Sequence, residues 1–597
     1  MYPLDECKKE ITDHIQKTIA PYHIPYEIRV ETPPGNMGDF AFPCFPLAPL
    51  LKKSPNEIAK EIAMGISKSK WITKAEAQGG YVNFFIDTTN LTSVTLQSIL
   101  KKKETYGYLQ KKKKKVIIEH TSANPNGPLH VGRARNPIIG DTLVRIYKAA
   151  GYDVESQFYV DDMGKQVAIL AWGVHHIEQK NIPLTDNSKA DHQMVGYYQT
   201  ANEHMEKDRN VAEQITEIVK KLEQGDHDTI EMIHSSYAPV LEGIKQSLAR
   251  INIQIDSFIP ESTFIYNNSV DNVIKELKQT TYCHEEDAAF YLDMESFNIH
   301  GRNTKFFFLR RDGTTLYATR DIAYHQWKAE HADILINVLG EDHRLEAQQV
   351  KIALELLHTK ILPKIVFYAF VSLPGGKMST RRARVVYLDD LVDECIEHAY
   401  EEVKKRRASE LTESQMRNIA EQVGIGSLRY NIIKVQPEKD IVFTWEDALN
   451  FEGNAIPFIQ YAHARACSIL SKTNTNNQSF DPTVLMHASE RTLIKKLALF
   501  PLVIEDASNG FKPHSVANYL FEVASAFNQF YRDCPVLSEE NTVLRSSRLT
   551  LVTATVIVLK NALELLGISA PTEPMMILPF FIVWSSFSSI SLIFFFT

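Results

Sequence analysis

The sequence contains few cysteines for its length, and no pattern joins them. Six cysteines are scattered over 597 residues, and no two are spaced as C-x-x-C. This spacing argues against a disulfide framework and against a zinc knuckle, and it is typical of a reducing compartment. The first residues, "MYPLDECKKEI", also lack the apolar core of a secretory signal. These absences predict a cytoplasmic protein.

The sequence also has little net charge. Its formal net charge is -8, and charged residues make up 23% of the chain. A nucleic-acid partner would therefore need a local basic surface, because the overall field weakly repels a polyanion. One basic run exists between Lys101 and Lys115, "KKKETYGYLQKKKKK". A solvated linker and an RNA-contacting segment both fit this run, and the sequence leaves the two open.

Charge is missing altogether from the last residues. The stretch "MMILPFFIVWSSFSSISLIFFFT" contains no charged side chain, and about 20 apolar residues suffice to cross a bilayer. Pro579, the serines and the lack of a basic flank weaken that interpretation. We therefore treat residues 576–597 as an apolar tail of uncertain role. Membrane contact through residues 577–597 is the alternative that the pattern does not favour.

Length and a hydrophobic content of 44% predict several domains with ordinary cores. Ser54 and Pro55 are suited to start a helix in "SPNEIAKEIAMGI", and the alternating "GGYVNFFID" predicts a strand. We predict the following division of the chain: an α/β module at 1–100, a lysine-rich linker at 101–115, a central α/β domain at 116–400 with a polar, helical insertion at about 185–300, a helical domain at 401–575, and the tail.

The central domain begins with a strand, a loop, a helix and a strand. "VIIE" and "VESQFYV" predict strands, and the apolar spacing from Val131 to Ala150 predicts the helix between them, with Gly151 as its C-terminal cap. Such a βαβ unit is the repeating element of a doubly wound parallel sheet. Further strands are predicted at 334–340 and 364–373. The expected fold is therefore multidomain α/β with an all-α C-terminal domain.

The loop "EHTSANPNGPLHVGRARN" follows the first of these strands. Ligands of such sheets bind at the carboxyl ends of the strands, where helix starts attract phosphate. His130 is placed to donate to phosphates, and Gly132 leaves room for a flat base against its backbone. A capping histidine beside a packing glycine explains the same residues equally simply.

A second glycine-rich loop, "PGGKMSTRR", follows the strand predicted to end at Leu373. It does not satisfy the P-loop pattern, because Lys377 is followed by methionine and position 371 is valine. A loop with Lys377, Ser379 and Arg381 can instead close over a triphosphate and stabilise the leaving pyrophosphate.

Together the two loops resemble the HIGH and KMSKS signatures of class I aminoacyl-tRNA synthetases. The chain is most similar to arginyl-tRNA synthetases with a "SANP-GPLH-G" loop. The resemblance covers nearly the whole sequence through these further segments: "GDFAF", "GGYVNFF", "YVDDMGKQ", "YATRDIAYH", "LGEDHR", "KMSTRRARVVYLDDL", "FEGNAIPFIQYAHAR" and "FNQFYRDCPVL". It implies a Rossmann-like catalytic domain between an N-terminal tRNA-contacting module and a helical anticodon-binding domain.

The resemblance also implies roles for individual residues. The catalytic set would be His130, Gly132, Arg133, Lys377, Met378 and Ser379, of which His130, Gly132, Lys377 and Ser379 would bind ATP. The arginine-binding set would be Glu119, Ser122, Asn124, Tyr317, Asp321 and Asp342. The tRNA-binding pair would be Asn83 and Phe85. The chemistry agrees, because a guanidinium is a planar fork of donors that suits carboxylates and an aromatic face.

Some signature positions differ from the family pattern. Arg133 replaces the second histidine of HIGH, Thr380 replaces the second lysine of KMSKS, and Ala383 stands where many relatives have glycine. Arg133 keeps positive charge near the phosphates, so we expect the chemistry to survive. The cluster "CHEED" at 283–287 is interpreted as solvated loop charge, and no protein-built metal site is expected.

The implied reaction joins L-arginine to tRNA(Arg) at the expense of ATP with Mg²⁺, through an arginyl-adenylate. The resemblance implies a monomer, and an arginine activation step that needs tRNA. Three alternatives remain: a nucleotidylyltransferase-like enzyme of related fold, a synthetase for another amino acid, and a non-enzymatic RNA-binding relative. The intact loop residues disfavour the last, and the acidic site residues disfavour the second.

Overall fold

The bounds of the secondary-structure elements come from a computed structural model. It describes residues 2–572 except 24–27, 32, 34–36, 184, 186, 298, 300–303, 373–386, 445–446, 448–449, 451–452 and 474–479. The strands are β1 (Phe40–Pro43), β2 (Ile72–Gln78), β3 (Tyr81–Ile86), β4 (Lys115–Glu119), β5 (Asp153–Val160), β6 (Ser257–Pro260), β7 (Cys283–Glu286), β8 (Ala289–Asp293), β9 (Lys305–Leu309), β10 (Ile334–Gly340), β11 (Lys364–Tyr368), β12 (Val371–Ser372) and β13 (Ile441–Val442). The helices are α1 (Pro3–Ile19), α2 (Ala48–Leu51), α3 (Pro55–Gly65), α4 (Thr88–Lys102), α5 (Arg135–Ala149), α6 (Lys165–His176), α7 (Ala190–Lys207), α8 (Arg209–Glu223), α9 (His227–Arg250), α10 (Ser262–Tyr266), α11 (Ser269–Lys278), α12 (Tyr317–His331), α13 (Arg344–Leu356), α14 (Leu388–Arg407), α15 (Glu413–Ile433), α16 (Ile456–Ser471), α17 (Ala488–Gly510), α18 (Pro513–Asp533) and α19 (Thr542–Leu565).

The N-terminal module is built on an antiparallel sheet in the order β1-β3-β2. Helices α1 and α3 bury their isoleucines in the core of this module. The predicted helix start is confirmed, since the Ser54 hydroxyl accepts the backbone N–H of Glu57 at 3.3 Å and Pro55 is the first helical residue. The strand predicted in "GGYVNFFID" is confirmed as β3.

The central domain contains a five-stranded sheet in the order β11-β10-β4-β5-β6. All of its strand pairs are parallel. The first strand, β4, lies in the middle, and the chain then winds outward in both directions. This confirms the predicted doubly wound sheet and places the reversal of strand order between β4 and β10. Ligands of such folds bind outside the carboxyl ends of the strands at this reversal.

Two predicted elements differ from the structure in this domain. The helix expected from Val131 begins with a 3-10 turn at Val131–Arg133, and the α-helix starts at Arg135. The single strand expected at 364–373 is wrong: β11 ends at Tyr368, and β12 pairs with β13 instead of with the sheet. The backbone leaves the sheet because the N–H of Ala369 donates to the carbonyl of Pro437 at 2.9 Å.

The insertion expected at about 185–300 is purely helical only in its first part, α7 to α9, and its second part mixes the short helices α10 and α11 with strands. Residues Ser257–Pro260 then form β6, which pairs with β5 as an edge strand of the parallel sheet. Strands β7, β8 and β9 form a separate antiparallel sheet. The "CHEED" cluster interpreted as loop charge begins in β7, where its side chains are mostly exposed. The insertion therefore completes the main sheet instead of only decorating it.

The lysine-rich segment between the first two domains has a buried centre. Its lysines are largely exposed, but Tyr106 is 0% exposed and its hydroxyl donates to the carbonyl of Leu497 at 3.1 Å. Gly107 has a φ of 100°, and a Cβ there would lie 2.5 Å from the Phe500 ring. The Asn561 amide donates to the Tyr106 carbonyl at 3.0 Å. This segment is thus packed against the helical domain.

The C-terminal region is helical, as predicted, from α14 to α19 apart from the short β13. Among the described residues, α19 is the one helix long and apolar enough to cross a membrane, yet 56% of its most apolar window is buried inside the protein. It contributes Leu551, Val552 and Leu559 to the shared core. The apolar tail at 576–597 lies outside the described residues.

Candidate active site

The candidate site lies where the strand order of the parallel sheet reverses. Glu119 is the last residue of β4 and Gly340 is the last residue of β10, its parallel neighbour. Helix α12, which begins at Tyr317, carries side chains that reach both strands. Most of the predicted substrate-binding residues are brought together here.

His130 stands at the start of the 3-10 turn that follows the loop after β4. The backbone N–H of Gly132 donates to His130 Nδ1 at 3.0 Å, so a neutral imidazole carries its proton on Nε2. Burial, followed by the charge of Arg133, lowers the pKa of His130 and favours this neutral form. A Cβ at residue 132 would lie 3.1 Å from Nδ1, a tight contact that glycine avoids. His130 therefore caps the turn, and its Nε2–H is the atom suited to a phosphate.

The loop between Glu119 and His130 begins with a strained backbone. Thr121 and Ser122 have φ values of 72° and 37°, in the left-handed region that is uncommon for such residues. The Asn136 side chain accepts the N–H of Thr121 at 2.8 Å and donates to the carbonyl of Val338 on β10 at 3.0 Å. The Ser122 hydroxyl accepts the N–H of Tyr159 on β5 at 3.1 Å. Both neighbouring strands thus hold the strained turn in place.

Glu119 is already paired with a lysine, Lys328, that was not among the predicted site residues. Its Oε2 accepts from Lys328 Nζ at 2.7 Å, and its Oε1 accepts from the Ser122 hydroxyl at 3.1 Å. Lys328 is 0% exposed in its side chain, and its other donors reach His325 Nε2 at 3.2 Å and Asn337 Oδ1 at 3.3 Å. Three acceptor atoms therefore surround the ammonium group, of which the His325 Nε2 is shared with the Asn337 amide. Glu119 is a neutralised, oriented carboxylate instead of a free negative charge.

Asp321 lies on the same helix, at the opening of this buried group. Its Oδ1 is 3.0 Å from Nδ1 of His325, whose Nε2 accepts from the Asn337 amide at 2.7 Å. Burial acts to raise the pKa of Asp321, but its contacts with His325 and the charge of Lys328 outweigh this and lower the pKa. The Asp321 side chain is 35% exposed. Asp321 is thus an ionised carboxylate that a ligand can reach.

A second acidic cluster, also missed, lies beside Tyr317. Arg320 Nη1 donates to Glu261 Oε2 at 2.6 Å, and both side chains are buried. Burial, opposed by the charge of Arg320, raises the pKa of Asp161 to about 6. Within the described residues Asp161 Oδ1 is buried without a hydrogen-bond partner. The Tyr317 ring is 5.2 Å from the Arg320 guanidinium, and burial raises the pKa of Tyr317 to about 12.

Carboxyl groups outnumber cations in this part of the crevice. Two cations, Arg320 and Lys328, are each paired with a buried glutamate. Asp161 and Asp321 are additional carboxyl groups. An excess of carboxylates next to an aromatic ring is the environment that a guanidinium requires. The crevice is therefore suited to a cationic ligand.

Asn124 lies on the loop that follows β4, and Asp342 lies just after the end of β10. The Asn124 amide donates to Gln166 Oε1 at 2.8 Å, which fixes its orientation. Asp342 is half-exposed, and its carboxylate lies over Gly340. A Cβ at residue 340 would lie 2.4 Å from Oδ1 of Asp342. Arg133 is exposed beside His130. None of these three side chains contacts the Glu119–Lys328 pair in the structure as described.

The remaining predicted residues lie elsewhere. Lys377, Met378 and Ser379 fall outside the described residues, as do Thr380, Arg381 and Ala383. In the N-terminal module, Asn83 is 4% exposed, and Phe85 is half-buried under Lys74, whose Nζ lies 5.4 Å from the ring. A role for Asn83 and Phe85 in RNA contact stays a prediction.

One signal would have revealed part of what was missed. In "YATRDIAYHQWK" the polar residues Asp321, His325 and Lys328 recur at helical spacing, so they share one face of α12. Of this segment, only Tyr317 and Asp321 were predicted as site residues. Asp161 and Glu261 carry no comparable signal, because their contacts join distant segments.

Comparison with known proteins agrees with this geometry. Family models match residues 95–445 (tRNA synthetases class I (R), catalytic domain), 459–573 (DALR anticodon binding domain) and 5–86 (arginyl tRNA synthetase N terminal domain). The arginine–tRNA ligase of Methanocella arvoryzae is 47% identical over 529 residues, which cover 89% of this chain and 92% of that one. The arginine–tRNA ligase of Methanosarcina barkeri is 42% identical over 534 residues, 88% of this chain and 92% of that one.

Solved structures show the same relationship. The arginyl-tRNA synthetase of Thermus thermophilus superposes with a TM-score of 0.81 at 26% identity, covering 95% of this chain and 99% of that one. The enzyme from Plasmodium falciparum superposes with a TM-score of 0.77 at 19% identity, over 95% and 98% of the two chains, which supports the fold alone. With three matching domains, close curated relatives and a shared fold, the chain belongs to the arginyl-tRNA synthetase family of class I aminoacyl-tRNA synthetases.

Proposed function

We propose that this protein is an arginine–tRNA ligase. It activates L-arginine with ATP, releases pyrophosphate, and transfers the arginyl group to the 3′-terminal ribose of tRNA(Arg). The observation that carries this proposal is the excess of carboxyl groups around α12, at the end of the strand β4 whose following loop leads to the His130 turn. This edge of the sheet combines a cation-binding group with a turn suited to phosphate, as the first step requires.

Arginine would bind with its guanidinium between Asp321 and the Tyr317 ring. Asp321 is the ionised and accessible carboxylate of the crevice. Glu119, held by Lys328 and Ser122, offers a fixed acceptor edge deeper in the pocket. Because the side-chain nitrogen of Asn124 donates to Gln166, its side-chain oxygen is oriented to accept from the amino group of arginine. Asp342 is the least constrained member of this set, because its side chain is half-exposed.

ATP would lie against the His130 turn. The Nε2–H of His130 is suited to donate to the phosphates, and Gly132 lets the backbone approach the nucleotide closely. An arginine carboxylate oxygen attacks the α-phosphorus, and the bond to pyrophosphate breaks. Lys377 and Ser379, with Met378 between them, would stabilise the charge that develops on pyrophosphate. Mg²⁺ enters with ATP as part of the substrate.

The tRNA would contact both outer domains. We assign residues 1–100, with Asn83 and Phe85, to the outer corner of the tRNA, and residues 401–575 to its anticodon arm. The family models at 5–86 and 459–573 support this division. We further propose a cytoplasmic monomer, a location supported by six cysteines that are all free.

The decisive experiment is aminoacylation of total tRNA with each amino acid and ATP. We expect charging with arginine alone, and loss of product when ATP or tRNA is omitted. Charging with another amino acid would replace the proposed specificity. Transfer of a nucleotidyl group without any tRNA charging would favour a nucleotidylyltransferase. A tRNA-free exchange assay is not decisive, because activation in this family typically needs tRNA.

A further inference from the structure

Asp389 is the centre of a buried polar cluster outside the substrate crevice. It lies in the first turn of α14, is 2% exposed, and is contacted by residues from the insertion. Its Oδ2 accepts from Lys189 Nζ at 2.6 Å, from the Ser247 hydroxyl at 3.0 Å and from His192 Nε2 at 3.1 Å. Its Oδ1 accepts from Arg250 at 3.2 Å. Three separate segments, those of α7, α9 and α14, therefore meet at one carboxylate.

This cluster has the residue types of a metal site but not the charge. The ligand atoms of Asp191, His192 and Asp389 lie within 4.8 Å of one another. Lys189 and Arg250, however, already place two cationic groups on Asp389. Burial acts to raise the pKa of Asp389, but hydrogen bonds from His192 and Lys189 outweigh it and hold the pKa well below its usual range. The carboxylate is thus saturated by donors of the protein itself.

The same turn of α14 is joined directly to the His130 turn. The N–H of Leu388 donates to the carbonyl of Leu129 at 2.7 Å, and Tyr387 forms an antiparallel bridge with His130. The Tyr387 ring meets the His192 ring edge-on at 5.0 Å. These backbone bonds are made by the residues immediately before Asp389. Any shift of the first turn of α14 would therefore move the backbone beside His130.

Helix α7 touches the same loop at a second point. A Cβ at Gly127 would lie 2.8 Å from the Val195 side chain, so α7 packs closely against the segment that leads to His130. His192, one turn earlier on α7, is one of the donors to Asp389. The insertion thus supports the loop both by direct packing and through the Asp389 cluster.

We propose that Asp389 is a positioning residue for His130: by fixing the start of α14 to the insertion, it holds the Leu129–His130 backbone where His130 can meet the ATP phosphates. The proposal rests on the proposed function, since it assigns His130 to ATP. Asp389 itself touches no substrate in this scheme. The arginine pocket is held by β4, β10 and α12 and does not depend on this cluster.

The test variant is Asp389→Asn, which keeps the shape and removes the charge that binds Lys189 and Arg250. We expect a higher KM for ATP, an unchanged KM for arginine, and a rate of arginyl-adenylate formation about 10- to 100-fold lower, because a displacement of about 1 Å at a reacting group costs on the order of 100-fold. The measurement is single-turnover activation with tRNA whose terminal ribose has been oxidised, so that the adenylate is not consumed.

A double-mutant cycle with His130→Ala separates positioning from general damage. If Asp389 acts through His130, then Asp389→Asn should have little further effect in the His130→Ala background, because coupled residues are not additive. The proposal would be overturned if the fold-losses in activation rate of the two single variants multiply in the double variant. It would also be overturned if the KM values for ATP and arginine rise equally. Asp393→Asn is the matched control, since Asp393 is an exposed partner of Arg250 on the same helix. It should leave activation near the wild-type rate.

A milder variant keeps the proposal testable if Asp389→Asn does not fold. Ser247→Ala removes one neutral donor and leaves the other three contacts to Asp389 in place. It should raise the KM for ATP in the same direction but less, and a folded Ser247→Ala with wild-type ATP kinetics would count against the proposal. Failure of the proposed function is a different result: the wild-type protein would then not charge tRNA with arginine at all.

Discussion

Replacing Lys328 with methionine removes one partner of the buried Glu119–Lys328 pair and keeps most of the side-chain volume. Lys328 is 0% exposed, Glu119 is 7% exposed, and the paired atoms are 2.7 Å apart. Removing one partner of a buried ion pair costs about 3–5 kcal/mol, because the other charge is left without a counter-ion. Glu119 keeps its bond to the Ser122 hydroxyl. We therefore expect a loss near the lower end, about 3 kcal/mol of unfolding free energy.

The same change should alter how arginine affects stability. In the wild-type protein Lys328 neutralises Glu119, whereas in Lys328→Met the carboxylate faces the pocket unpaired. A bound guanidinium would supply the missing positive charge. A ligand at 100 times its Kd stabilises by about 2.7 kcal/mol, and arginine should stabilise Lys328→Met by more than it stabilises the wild-type protein at the same concentration.

Urea unfolding with and without L-arginine measures both effects. The double variant Glu119→Gln/Lys328→Met should recover most of the lost stability, because no charge is left unpaired, and it should lose the additional stabilisation by arginine. Lys351→Met is the control, since Lys351 is half-exposed in a surface pair with Glu355 and should change stability little. The reasoning is refuted if Lys328→Met is as stable as the wild-type protein, or if arginine stabilises the double variant as strongly as the single one.

Three further outcomes are expected. His130→Ala and Lys377→Ala should each raise the barrier to single-turnover arginyl-adenylate formation by about 2–4 kcal/mol while the protein stays folded, since each removes a charge-stabilising donor. Near-normal rates would contradict the assignment. Asp321→Asn should raise the KM for arginine and leave that for ATP unchanged, and equal effects on both would mean that Asp321 supports the fold. Deleting the residues after Met576 should preserve aminoacylation, because the match to the anticodon binding domain ends at residue 573, before the tail begins; loss of charging activity would show that the tail is needed.

The main sheet and its site were predictable because their signals are local. The apolar runs of β4 and β5 flank a helix of regular spacing, and a loop that follows β4 must lie at the carboxyl edge of the sheet. The capping role of His130 and the nucleotide role were both considered from the sequence. In the structure the two are compatible, because one ring nitrogen serves the cap and the other carries the proton.

The features that were missed depend on contacts between distant segments. Glu119 and Lys328 are 209 positions apart, so nothing near Glu119 in the sequence indicates that its charge is neutralised. The four residues of β6 are all half-buried and show no alternation, so only their pairing with β5 identifies them as a strand. The break between β11 and β12 likewise depends on Pro437, some 70 residues further along the chain.

The burial of Tyr106 affects how the chain can fold during its synthesis. Its hydroxyl bonds to Leu497, 391 positions later, and Gly107 is packed against Phe500. At the usual 5–20 residues per second, those partners leave the ribosome about 20–80 s after Tyr106 does. The core of the N-terminal module consists of its own residues apart from Ala498 of α17, so most of it is able to form early. Its junction with the helical domain must wait, so the lysine-rich segment around Tyr106 keeps that aromatic surface in solution until the last third of the protein is made.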